Sequence, residues 1–142
     1  MISGMIETAE NLATDYGITR EACDQFAAES HAKAAAAWAA GRFADEVVPV
    51  NVPQRRGDPL VFASDEGVRG DTTAQSLSAL KPMMKGGVST AGNSSQQNDA
   101  AAACLLVAED KLEELGLEPI GYFVGWAAAG CDPARMGIGP VP

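Results

Sequence analysis

The 142-residue sequence predicts an α/β chain, mostly helical at first and ending in a strand-helix-strand piece. Three observations predict it. Residues 5–42 carry two capped, alanine-rich helical patterns. Residues 47–62 gather β-branched residues broken by Pro and Gly. Residues 100–130 hold two long apolar runs separated by a short charged segment.

The elements follow in order. "ETAENLATDYG" reads as a short helix, with Thr8 near its start and Gly17 as its C-terminal stop. "ITREACDQFAAESHAKAAAAWAAGRF" reads as a long helix. Thr19 suits the N-cap, and Glu21 in the first turn suits the helix dipole. Ala22, Phe26, Ala34, Ala37 and Trp38 share one face at helical spacing, and so much alanine lets the helix lie close to a neighbour. Gly41 ends it. Val47, Val48, Val50 and Val52 favour a strand, which Pro49 and Pro53 confine to an edge or an irregular ribbon. The turn-rich "PQRRGDP" leads to a second short strand at residues 60–62. "ASDEGVRGDTTAQS" is a polar loop, "TTAQSLSALKP" a short helix stopped near Pro82, and "MMKGGVSTAGNSS" a loop again.

In the last third, residues 100–108 form a near-continuous apolar run, as expected of a strand buried on both faces. Residues 109–115 form a short helix stopped by Gly116, and residues 118–130 a second apolar strand. Two such strands and one helix cannot cover each other. Residues 93–142 therefore read as part of a larger layered domain, completed by a partner chain or by the rest of a longer protein.

Composition narrows the functions. The apolar fraction of 46% is ordinary for a globular protein, and no apolar run nears the roughly 20 residues of a membrane span. The N-terminus has neither a basic flank nor a long apolar core, so no signal peptide is read there and a cytoplasmic location is expected. Three cysteines without Cys-x-x-Cys spacing make neither a disulfide framework nor a zinc site. The single His31 reads as a solvated or helix-side residue. A net charge of −9 counts against nucleic acid as a partner. That charge is uneven: residues 1–50 and 93–142 each carry −5, whereas residues 51–92 carry +1. The middle of the chain is where an anionic ligand is not repelled.

The stretch "VSTAGNSSQQNDAAAACLLVAED" sets a loop of small polar residues against an apolar run. Small residues let a backbone approach another surface closely. Something is expected to sit tightly against residues 92–97.

Six phrases taken together resemble the thiolases, the acyl-CoA C-acyltransferases: "TAENLATDYGITREACDQFAAESHAKA", "GRFADEVVPV", "DEGVRGDTT", "LSALKP", "STAGNSSQQNDAAAACLL" and "AGCDPARMGIGPVP". They stand in the family's order and spacing from Met5 to Pro142. The resemblance implies a five-layered αβαβα fold built of two similar halves, of which this chain is an internal part. Residues 1–92 would be the loop domain that covers coenzyme A (CoA). Residues 93–142 would be the last strands and helix of the N-terminal half.

The same resemblance implies cleavage or condensation of a 3-oxoacyl-CoA through a cysteine thioester. CoA is then a substrate, and no cofactor is permanently bound. That chemistry uses a nucleophilic cysteine upstream and, downstream, an Asn-Glu-Ala-Phe-like stretch, a Gly-His-Pro histidine and a Cys-x-Gly cysteine. None of these stands in the 142 residues, so no catalytic residue is assigned and the chain alone is expected to be inactive. Cys104, inside a presumed strand, reads as core, and Cys131 has no base beside it. The expected partners are acyl-CoA and either further copies of the chain or the missing thiolase halves.

For CoA binding the resemblance implies six residues. Met5 lies near the reactive end and pantetheine, Arg69 near the adenine and phosphate end, and Ser76 and Leu80 against the adenine. Ser95 bonds the pantetheine amides, and Met136 lines the acyl pocket. Read from the residues alone, Arg69 also suits an ion pair to Asp65 or Asp71, Ser76 a helix cap, and Leu80 and Met136 a core. The sequence departs from the family pattern at Gln96 and Gln97, where small or apolar residues are usual, and at Ala100, where Gly is. It also departs at Gly4 and Gly67, where bulkier or aromatic residues are common. The acyl-chain preference stays open.

Overall fold

The computed structural model describes residues 4–142. Residues 1–3, assigned above to the start of the first unit, lie outside the described residues. Helix α1 spans Met5–Tyr16 and opens one turn earlier than Thr8 would place it. Gly4 is its N-cap, and the Gly4 N–H donates to Glu7 Oε2 at 3.0 Å. Gly17 closes it in the left-handed conformation, φ 62°. Helix α2 spans Arg20–Ala39, with Thr19 Oγ1 accepting from the Ala22 N–H at 3.2 Å. Trp38 in its last turn packs against Phe43 just beyond it, with ring centroids 5.1 Å apart and the planes tilted by 52°.

Strands β1 (Val50–Val52) and β2 (Leu60–Phe62) form one antiparallel hairpin with Asn51 opposite Val61. Pro49 and Pro53 bracket β1 and hold it to three residues. Helix α3 (Ala74–Ser78) starts at a capping box in which the Thr73 and Ser76 side chains each accept from the other's backbone N–H at 3.1 Å. A 3-10 turn at Glu109–Lys111 leads into the short helix α4 (Leu112–Leu115), stopped by Gly116.

Two elements depart from the sequence expectation. The runs at 100–108 and 118–130 belong to no ladder among the described residues, and they are exposed rather than buried on both faces. Leu106 is 83% and Val124 95% exposed. A strand exists only through its neighbours' N–H and C=O groups, and within residues 4–142 these runs have none. The second departure is the face of α2. Phe26 points to solvent, and the buried face carries Asp24, Ala27 and Ala28. In so alanine-rich a helix the large residues mark the inward face poorly.

The sequence left residues 133–138 without an element, but Pro133–Ile138 forms two 3-10 turns, kinked at Arg135, that pack on α1. Thr8 is buried there, and its Oγ1 accepts from the Gly137 N–H at 3.2 Å. Asn11 Nδ2 donates to the Ala134 carbonyl at 2.8 Å. Arg135 pairs with Asp15 and Asp132. The apolar cluster elsewhere is small: Ala27, Ala28 and Leu77, where α3 lies on α2. Much of the buried interior is instead polar, at Asp24, Ser89 and Thr90.

Candidate functional site

Residues 86–95 are the most firmly anchored loop, and two helices hold them. From α1, the Glu10 carboxylate accepts from the Val88 N–H at 2.9 Å and the Ser89 N–H at 2.8 Å. Partial burial works against the Glu10 charge, but the Val88 and Ser89 donors outweigh it and hold the carboxyl below its ordinary range. Gly87 allows this approach, because a Cβ there would stand 2.6 Å from Glu10 Oε1.

From α2, Asp24 is 2% exposed and accepts from Arg20 Nε at 2.8 Å and Asn93 Nδ2 at 3.0 Å. Arg20 also donates to the Leu77 and Leu80 carbonyls at 2.8 and 3.0 Å, so one guanidinium ties α3 to α2. Asn93 Oδ1 accepts from the Thr90 N–H at 2.7 Å, and Asn93 Nδ2 donates to the Val88 carbonyl at 2.9 Å. The fully buried Thr90 closes the turn by accepting from the Gly92 and Asn93 N–H groups. Every buried polar side-chain atom described has a partner, as a rigid network requires.

This anchored loop forms one wall of an open cavity of about 900 Å³. Ala91, Gly92, Ser94, Ser95, Gln96 and Asn98 line that wall. The opposite wall is the polar loop, with Glu66, Gly67, Arg69, Asp71 and Thr72. Ser76 and Leu77 of α3, with Leu80 just beyond its end and Met83, floor it, and Ile6 and His31 close the helix side. The neighbour that the small residues accommodate is α3: a Cβ on Gly92 would stand 2.5 Å from both Leu77 Cδ2 and Leu80 Cδ1.

Four of the six residues selected from the sequence, Arg69, Ser76, Leu80 and Ser95, line this one cavity. Met5 and Met136 do not. Met5 opens α1 at 67% exposure, and Met136 lies on the 3-10 helix at 44%. Arg69 forms no ion pair with Asp65 or Asp71 among the described residues. Ser76 does cap α3, with its Oγ donating to the Thr73 carbonyl at 2.8 Å. The Ser95 hydroxyl is exposed and donates to the Gln96 carbonyl at 3.1 Å.

Sequence reasoning missed His31, whose Nδ1 accepts from the Arg69 N–H at 3.2 Å and steadies the opposite wall. No local pattern marks it, since the two residues stand 38 positions apart. It also missed that Gly67 and Gln96, two separate departures from the family pattern, touch across the cavity.

The cavity joins one guanidinium, several hydroxyls and amides, and an apolar floor, which suits a long ligand with an anionic end and hydrogen-bonding groups along its length. Among the described residues no cluster of His, Cys, Asp or Glu could hold a metal, and no helix is long and apolar enough to cross a membrane. Cys104 and Cys131 are exposed. At Cys23, burial and then the charges of Asp24 and Glu10 push the thiol above its ordinary range, which disfavours the nucleophilic thiolate.

Comparison with known proteins places these features. Residues 3–110 match the model of the thiolase N-terminal domain. The acetyl-CoA acetyltransferase of Thiocystis violacea is 54% identical over 136 residues, which is 95% of this chain and 34% of that protein. The chain thus spans about a third of the curated relatives it matches. The crystal structure of the Bacillus anthracis acetyl-CoA acetyltransferase superposes with a TM-score of 0.90 at 47% identity, covering 95% of this chain and 34% of that one. The acetyl-CoA acetyltransferase structure from Syntrophomonas wolfei gives 0.89 at 42% identity, over 97% of this chain and 35% of that one. With nearly all of the chain matched, the unpaired runs keep, for the most part, the course of the corresponding segments in those enzymes. The sequence phrases, the path of the backbone and the family match agree: the chain belongs to the thiolase family and carries part of the thiolase fold.

Proposed function

We propose that the chain is part of an acyl-CoA C-acyltransferase that cleaves or condenses 3-oxoacyl-CoA through a cysteine thioester, and that its own contribution is to bind CoA. The observation that carries this reading is the convergence of Arg69, Ser76, Leu80 and Ser95 on one cavity. The Arg69 guanidinium would hold the phosphate end. Ser76 of α3 and Leu80, just beyond its end, would take the adenine between a hydroxyl and an apolar side chain. Ser95, on the loop that Glu10 and Asp24 hold still, would bond the pantetheine amides. Met5 and Met136 would lie toward the acyl end, outside this cavity. No residue of this chain is given a bond-making role.

On this reading residues 1–92 are the CoA-covering loop domain, and residues 93–142 the last strands and helix of the N-terminal half. The exposed runs at 100–108 and 118–130 then pair with further thiolase segments or with another copy of the chain. Acyl-CoA is the small-molecule partner, and the setting is cytoplasmic.

Isothermal titration of the chain with CoA tests the reading. Binding that weakens about tenfold or more in Arg69→Ala, the loss of a charge-assisted hydrogen bond, and about fivefold in Ser95→Ala, the loss of an ordinary one, supports it. Wild-type affinity in both variants overturns it.

A second reading is a thiolase-like subunit, or an inactive piece, that binds CoA or a lipid without turnover. The two readings part on labelling with iodoacetamide. Loss of turnover through a cysteine outside these residues supports the acyltransferase, and CoA binding without turnover in the natural assembly supports the subunit.

A further inference from the structure

Gln96 reaches from the Ser-rich wall to the opposite loop. A Cβ built on Gly67 would lie 1.6 Å from Gln96 Nε2 and 2.9 Å from Gln96 Cδ. No residue but glycine fits at position 67 while Gln96 keeps its place. Both residues line the cavity. The Gln96 carboxamide has no hydrogen-bond partner among the described residues and rests against Gly67 at the end of a flexible side chain. Its two N–H donors and its carbonyl acceptor are therefore open to a ligand. A carboxamide complements another amide, because each offers what the other accepts.

We propose that Gln96, seated on Gly67, is a specificity-determining residue of this cavity, bridging its two walls and presenting a carboxamide to the amide-bearing arm of the ligand. The proposal rests on the CoA reading and deepens it. The seat sets the width of the slot, and the carboxamide sets its polarity. Ser95 stands beside Gln96, its hydroxyl donating to the Gln96 main-chain carbonyl, so both side chains face the same stretch of ligand.

The test measures binding of CoA, pantetheine and adenosine bisphosphate to the full chain and to Gln96→Ala, Gly67→Ala and the double variant. Pantetheine carries the amides, and adenosine bisphosphate is the nucleotide half without them. Gln96→Ala is expected to weaken pantetheine and CoA roughly fivefold, one ordinary hydrogen bond, and to leave adenosine bisphosphate unchanged. Gly67→Ala, which moves the carboxamide away from Gly67, is expected to weaken CoA by the same roughly fivefold factor as losing that hydrogen bond, and the double variant to bind like Gln96→Ala, the non-additivity of groups in contact. Equal losses for all three ligands, or losses that multiply in the double variant, overturn the proposal. A wild-type chain that binds neither CoA nor pantetheine overturns the CoA reading, and the ligand clause of this proposal with it. The seat is then judged by thermal melting without ligand. A lower midpoint in Gly67→Ala that Gln96→Ala restores upholds the seat, and additive losses refute it.

Discussion

Asn93 Nδ2 donates to the buried carboxylate of Asp24 across 3.0 Å, joining positions 69 residues apart. That bond fastens the small-residue loop to the long helix. Arg20 binds the second Asp24 oxygen and the last carbonyls of α3, so the three side chains fix two cavity walls relative to one helix.

Asp24→Ala strands the Arg20 guanidinium, whose side chain is 19% exposed, and leaves Asn93 without its acceptor. Breaking a buried pair of this kind costs about 3 kcal/mol. Urea unfolding of the variant is expected to show a loss of that size, and Arg20→Ala a comparable one. A change within about 0.5 kcal/mol, the range of ordinary surface substitutions, would mean that the network contributes little.

Glu10 gives a pH dependence of defined sign. Burial opposes its charge, but the Val88 and Ser89 N–H groups overcome this and lower the folded-state pKa below the ordinary 4.5. The folded state then binds the proton more weakly than the unfolded state. The stabilisation is fully present above the unfolded value and is lost as pH falls through the folded value. Wild type and Glu10→Gln are therefore expected to differ in stability at pH 7 and to converge below the ordinary carboxylate range. Acid titration followed by circular dichroism reads the convergence. A gap that persists at the lowest pH contradicts it.

Gly92→Val is expected to open the α3 side of the cavity. Its first added carbon already lies 2.5 Å from two leucine side chains, and such overpacking costs about 1–3 kcal/mol. Hydrogen exchange at the α3 amides should accelerate. Unchanged exchange would show that Leu77 and Leu80 repack freely.

The cysteines separate by reactivity. Cys104 and Cys131 are exposed, whereas Cys23 is half-buried with a raised pKa. Titration with a chromogenic disulfide is expected to show two fast thiols and one slow thiol. Three equal rates would place Cys23 in open solvent.

The apolar runs predict association. Ile120, Val124 and Trp126 are almost fully exposed, and their backbones have no ladder partner among the described residues. Unpaired apolar strands seek another chain. Thermal melts of the isolated chain are expected to depend on protein concentration, with no thiolase turnover. A cooperative, concentration-independent melt would refute this.

How much was legible differs by element. Thr19 and Gly17 mark helix ends through local hydrogen bonding and a left-handed turn, so both can be read from single residues. Pro49 and Pro53 likewise bound β1. The long apolar runs at 100–108 and 118–130 show that these segments call for cover, and within residues 4–142 they have no ladder partner, as two strands and one helix that cannot cover each other imply. Phe26 misled: on α2 the residue that packs inward is the carboxylate of Asp24.

By itself the sequence determined most helix ends, the two short strands, the family and four residues of the cavity, because caps, turns and a motif's order are local properties of the chain. Tertiary structure alone decided that Asp24, Asn93 and Arg20 form one anchor, that His31 holds the Arg69 loop, and that Gln96 rests on Gly67. The Asn93–Asp24, His31–Arg69 and Gln96–Gly67 contacts join residues 69, 38 and 29 positions apart, and a side chain's partner at that distance is set by where the backbone brings it.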